Sequence, residues 1–270
     1  MHPQVIRHVA LNVFKESVRD RVLYSLVAFA SLLIGVSYLI GQLTAGQDIK
    51  IIKDLGLAAI STFGLLIAIF IGIGLVWKEV ERRSIYSLLA KPVSRPEFII
   101  GKFVGLALTL LVNVATMTVA FYAVLAYMNT QFSDNVRASW PAPAVDPGML
   151  RAVALIFVEL LVVTAIALFF STFSSPFLSA ALTGGLWVIG HFNTDLRNFE
   201  AVVESPVAAS LARGLYYILP NFAAFDIKAQ VVYAQPVPSS YLLITAGYGA
   251  VYVALLLTGA VTIFARRDFA

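Results

Sequence analysis

Few residues in this sequence are of a type and at a spacing that could do chemistry. Histidine occurs only at His2, His8 and His191, and cysteine is absent. No H-E-x-x-H pair, clustered metal site, disulfide framework or cysteine nucleophile can be assembled from that set. A serine–histidine hydrolase centred on His191 has no paired serine motif to support it. Gly101-Lys102 is followed by Phe103 and lacks the upstream glycine of a phosphate-binding loop, so ATP has no P-loop here. The chain is expected to be no enzyme and to carry no cofactor of its own.

One ionisable side chain falls within a long apolar run: Glu159, seven residues into the stretch Ala152 to Phe170. A charge at mid-bilayer costs about 2.5–3.5 kcal/mol on insertion scales, so this carboxyl must face protein or water, or be protonated. It reads either as a polar contact in a translocation path or as a helix-packing group, hydrogen-bonded to a neighbour or wetted near the outer interface. Asn113, Thr116 and Thr118 are the expected partners, since polar side chains pair across membrane helices. Gly101 and Gly105 have the spacing that permits close helix approach.

The elements that must position these residues follow from composition. Of 270 residues, 60% are hydrophobic and 13% charged, against about 25% charged in ordinary soluble domains; the mean hydropathy is +0.86. A soluble protein could not hide that much apolar surface. Six runs approach the roughly 20 apolar residues a membrane helix needs: 23–43, 55–77, 103–128, 152–170, 177–192 and 241–265. The fifth is the shortest and is weakened by Gly184, Gly185 and Gly190. The runs are continuous, which excludes a β-barrel. The expected fold is all-α: one polytopic transmembrane domain over 1–270, with six transmembrane helices. Within it, residues 1–22 form an amphipathic interfacial helix before the first span, with Val5, Val9 and Val13 beside Ile6, Ala10, Phe14 and Val18, and Arg7, Asn12, Lys15 and Arg19 opposite.

Charge placement sets the orientation. Twelve of the 19 basic residues lie on 1–22, 78–102 and 266–270, and acids outnumber bases on the other side. Both termini are therefore expected in the cytoplasm. The net charge of +4 faces anionic lipid and cytoplasmic partners, not nucleic acid.

The connection 78–102 carries nine charges and two prolines. Glu79 to Ala90 reads as a helix with Ile85, Leu88 and Leu89 on one side and Glu79, Arg82 and Arg83 on the other. Pro92 stops it. Ser94 then starts a second helix, with Pro96 in its first turn and Glu97 completing a capping box. This charged knob suits contact with another protein. Residues 171–177 read as a tight turn with hydroxyls at the helix ends. The extracytoplasmic loop 194–240 is expected to form one or two short helices that cap the outer face or dip into it.

These features together resemble the ABC-2 type permeases. The resemblance is carried by the basic N-terminal helix, the six runs, and Lys78-Glu79-Val80-Glu81-Arg82-Arg83 with Leu88 to Lys102. Ser171 to Pro176 and the terminal Phe264-Ala265-Arg266-Arg267-Asp268-Phe269 add to it. Within the family the chain is most similar to the branch of copper-enzyme maturation and gliding-motility permeases. The resemblance implies a permease subunit for export, working as a dimer with a second copy or homologue. Two separate ABC ATPase subunits would carry ATP and Mg. Residues 79–91 would match the coupling helix and 4–18 the connecting helix. It thus implies that Glu79, Glu81, Arg82, Arg83, Ile85, Leu88, Leu89, Lys91 and Pro92 form the ATPase-coupling region. Two other classes stay open: a proton-coupled secondary transporter using Glu159, although no inverted repeat of broken helices is visible, and a non-transporting transmitter that passes ATPase strokes to an extracytoplasmic partner.

Overall fold

A computed structural model describes residues 2–42, 48–81, 94–138, 140, 142–193, 210, 213–214 and 216–266. The regular elements assigned among them are helical: α1 (Pro3–Val18), α2 (Arg21–Gln42), α3 (Asp48–Glu81), α4 (Arg95–Gln131), α5 (Asp134–Ala138), α6 (Met149–Ser171), α7 (Pro176–His191), a 3-10 turn (Phe222–Phe225), α8 (Lys228–Val232) and α9 (Ser239–Arg266). Among the described residues, five helices (α2, α3, α4, α6 and α9) are long and apolar enough to cross a membrane.

The helices outrun the apolar segments that announce them. α3 begins at Asp48, not Leu55, and stays helical through Glu81; α4 begins at Arg95, not Phe103. Hydropathy marks the part of a helix covered by lipid or protein, whereas the helix itself continues wherever its backbone bonds and ends are satisfied. The extra turns bring charge inside. Lys53 is fully buried in α3, where its Nζ donates to the Pro143 carbonyl at 2.8 Å. Glu159 is therefore not the sole ionisable group on a long apolar helix, contrary to the sequence reading.

α7 occupies the position of the expected fifth span but has only 16 residues. That is about 24 Å of helix, less than the roughly 30 Å hydrocarbon thickness. Beyond its end the chain folds back as the 3-10 turn and α8, with Phe222, Phe225, Ile227, Val231 and Val232 all buried. Gly190 makes this possible. A Cβ there would lie 2.5 Å from Phe222 Cδ2 and 2.6 Å from the Pro220 carbonyl oxygen, so only glycine admits this inserted turn.

α6 is the axis of the bundle, flanked by α3, α4, α7 and α9. Leu155, Ile156, Leu160, Val162, Val163 and Ile166 bury several sides of it in the main apolar core. α2 and α9 instead turn large apolar side chains outward, among them Phe29, Leu32, Leu243 and Leu255. α1 lies across the first turns of α4. A Cβ on Gly105 would stand 2.6 Å from the Ala10 carbonyl oxygen and 2.7 Å from Val13 Cβ, and one on Gly101 2.7 Å from Val9 Cβ. The Gly101–Gly105 spacing thus serves α1. At the far end of α6, Ser175 caps α7 by accepting from the Leu178 N–H at 3.4 Å, with Pro176 in the first turn.

Candidate functional site

Two polar clusters stand out in the apolar bundle. The first surrounds Glu159, which is 2% exposed on α6. The Trp187 indole N–H donates to its Oε1 at 2.7 Å. His191, one turn further along α7, places Nε2 3.8 Å from the same oxygen. Its Nδ1 lies 3.1 Å from the Trp187 carbonyl oxygen, to which a protonated Nδ1 donates. The imidazole stacks on Phe222, ring centroids 5.9 Å apart. The cluster therefore pins α7 and the inserted turn to the central helix. A buried carboxyl needs such a donor, since a polar group left unsatisfied there costs about 1–3 kcal/mol.

The expected partners of Glu159 are engaged elsewhere, which corrects the sequence reading. Asn113 Nδ2 donates to the Thr109 carbonyl at 2.8 Å, Thr116 Oγ1 to Val112 at 2.8 Å and Thr118 Oγ1 to Val114 at 2.7 Å. Each is satisfied within α4, as short polar side chains in helices commonly are. Thr116 lies on the exposed face of that helix. Trp187 and His191 were the missed residues. Their i, i+4 spacing puts them on one face of α7, but nothing local links that face to Glu159.

The second cluster sits where α4 begins. The Ser94 backbone N–H donates to Glu97 Oε2 at 3.1 Å, the capping-box bond expected there. Glu97 Oε1 accepts from the His2 backbone N–H at 2.6 Å, and His2 is the N-cap of α1. Arg95 Nη1 donates to the carbonyls of Phe264 at 2.9 Å and Ala265 at 2.7 Å, in the last turn of α9. Phe98 stacks on Phe264 at 5.8 Å, and buried Lys102 holds its ammonium 4.7 Å from the Phe98 ring centre. Segments 94–102 and 264–265, which carry parts of the family resemblance, are thus one physical unit. Glu79 and Glu81 belong to the last turn of α3. Arg82, Arg83, Ile85, Leu88, Leu89, Lys91 and Pro92 lie outside the described residues.

At the opposite end, a cavity of about 480 Å³ opens between 216–224 and one face of α9. Tyr241, Tyr248 and Tyr252 line it from α9, and their hydroxyls are bonded to backbone. Tyr241 donates to Ala224 O at 2.7 Å, Tyr252 to Leu219 O at 3.3 Å, and Tyr248 accepts from the Asn221 N–H at 2.8 Å. These rings clasp the inserted segment to α9. Arg151 adds a strap from α6 by donating to Val237 O at 2.9 Å.

Among described residues, no group of three or more histidine, aspartate or glutamate side chains could hold a metal ion. A family model described as "ABC-2 family transporter protein" matches residues 7–269. No curated protein matches the chain.

Proposed function

The chain belongs to the ABC-2 transporter family, a multi-pass membrane protein with the helices of a permease, and from that premise we propose that it forms the translocation path for export, driven by separate ATPase subunits. Two such subunits dock at the cytoplasmic end and bind the ATP and Mg. A second copy or a homologue completes the path. The membrane is the bacterial inner membrane, with both termini in the cytoplasm. α7 and the inserted turn together complete a sixth crossing, and α1 lies at the cytoplasmic interface. The motif at 78–102 supports the copper-maturation and gliding-motility branch.

One observation carries the coupling part of this reading beyond the family. α3 has 34 residues and α4 has 37, about 51 and 55 Å of helix against some 30 Å of hydrocarbon. Part of that surplus, Lys78 to Glu81 in α3 and Arg95 to Lys102 in α4, lies at the end rich in basic residues, which supports placing the coupling region there. Co-purification of the chain with an ATPase tests the reading. Glu79→Lys, Arg82→Glu and Arg83→Glu together should abolish nucleotide turnover by the complex. Assembly and turnover that both survive those reversals would contradict the assignment of the coupling region.

The Glu159–His191 approach favours one second reading, proton-coupled transport by this chain without a motor. Proton-driven flux from the chain alone in liposomes, lost in Glu159→Gln, would select it.

A further inference from the structure

We propose that Glu97, together with Arg95, is the positioning element that turns movement of the 79–92 region into joint movement of α1, α4 and α9. The proposal rests on the coupling reading above. Its evidence is the way one short stretch, beginning at Ser94, holds three helix ends that are far apart in sequence.

Glu97 divides its two oxygens between two helices. Oε2 takes the N–H of Ser94 at the start of its own helix, and Oε1 takes that of His2, 95 residues away at the start of α1. Helix N-termini carry partial positive charge and unsatisfied N–H groups, so a carboxylate serves both at once. Two residues earlier, Arg95 does the converse. Its guanidinium donates two bonds to the last carbonyls of α9, where the helix carries partial negative charge. Phe98 on Phe264 and Lys102 over Phe98 complete the contact with α9, and Gly101 and Gly105 lay α1 directly on α4.

The geometry makes the start of α4 a rigid fork. α1 is followed after two residues by α2, so drawing on α1 draws on α2 as well. α9 packs along α6 and α4. α2 and α9 are the two long helices least enclosed by the bundle, hence the ones freest to move. A single carboxylate that merely capped its own helix would need no second oxygen directed at α1. Glutamine separates these roles, because its amide has one acceptor oxygen and can keep one of the two N–H groups but not both.

The test uses the complex with its co-purified ATPase, reconstituted in liposomes. The chain contains no cysteine, so cysteines placed at Leu11 on α1 and Thr262 on α9, both exposed, take spin labels cleanly. The distance between them is measured without nucleotide and with ATP trapped by vanadate. In the wild-type background the distance should shift. In Glu97→Gln it should shift by less than half as much, with a proportionally smaller effect on hydrolysis. Arg95→Lys keeps the charge but not the fork of donors, and should give a milder version of the same loss. An undiminished shift in both Glu97→Gln and Arg95→Ala overturns the proposal. So does a Glu97→Gln chain that loses thermal stability and shift together while Arg95→Lys loses neither, since that outcome makes the carboxylate a structural cap only. A wild-type complex that hydrolyses ATP with no shift between α1 and α9 likewise overturns it and leaves the permease reading standing. Failure of any ATPase to bind removes the coupling reading itself, and this proposal with it.

Discussion

The cluster at Glu97 and the cluster at Glu159 are both built on a glutamate of a long helix, yet they hold different things. Glu97 and Arg95 bond to backbone at helix ends, so they fix where helices start and stop. Glu159 bonds to a side chain, the Trp187 indole, deep in an apolar core. Breaking the first unpairs backbone groups at helix ends, around a Glu97 that is itself buried, and lets helices drift apart. Breaking the second takes the indole donor from a carboxyl buried in the apolar core. The first cluster ties helix ends into one unit, and the second locks the interior.

If that contrast holds, stability should answer mainly to the interior. Trp187→Phe leaves the Glu159 carboxylate without its N–H donor and should cost about 3 kcal/mol, seen as the largest drop in detergent melting temperature. Glu159→Gln keeps an acceptor for the indole and should cost clearly less, so equal losses in the two variants would break the contrast. Gly190→Val drives a side chain into Phe222 and the Pro220 carbonyl. About 2 kcal/mol of overpacking strain is expected, with a cysteine at Phe222 becoming reactive to a membrane-impermeant maleimide. Gly105→Leu should push α1 off α4 at a similar or smaller cost, detected as faster proteolysis within α1. Ser175→Ala removes the cap on α7 and should cost about 1 kcal/mol. The exposed Arg137–Asp134 pair should be silent, with Asp134→Ala leaving the melting temperature unchanged.

How much of this was legible in the sequence depended on range. The start of α4 was readable because Ser94, Pro96 and Glu97 are a local code for a helix start. The bond from Glu97 to His2 was not, since it joins residues whose proximity depends on α1 crossing α4. Hydropathy located the long helices but not their ends: Lys53 falls outside the apolar run 55–77, yet α3 buries it with its ammonium bonded to the Pro143 carbonyl. Gly190 marked the fifth run as weak, but not that Phe222 would press against it. Glu159 was recognisable as costly, and its cost demanded a partner. The choice among partners failed because Asn113, Thr116 and Thr118 satisfy themselves one turn back along α4. The indole that does the work sits 28 residues away on another helix.

The central claim is that the chain is moved by a motor it does not contain, and nucleotide hydrolysis in a defined mixture tests it most directly. Purified chain in liposomes should show no turnover above empty vesicles, and ATP-driven motion of its helices should begin only when the ATPase subunits are added. Hydrolysis by the purified chain alone would contradict the account.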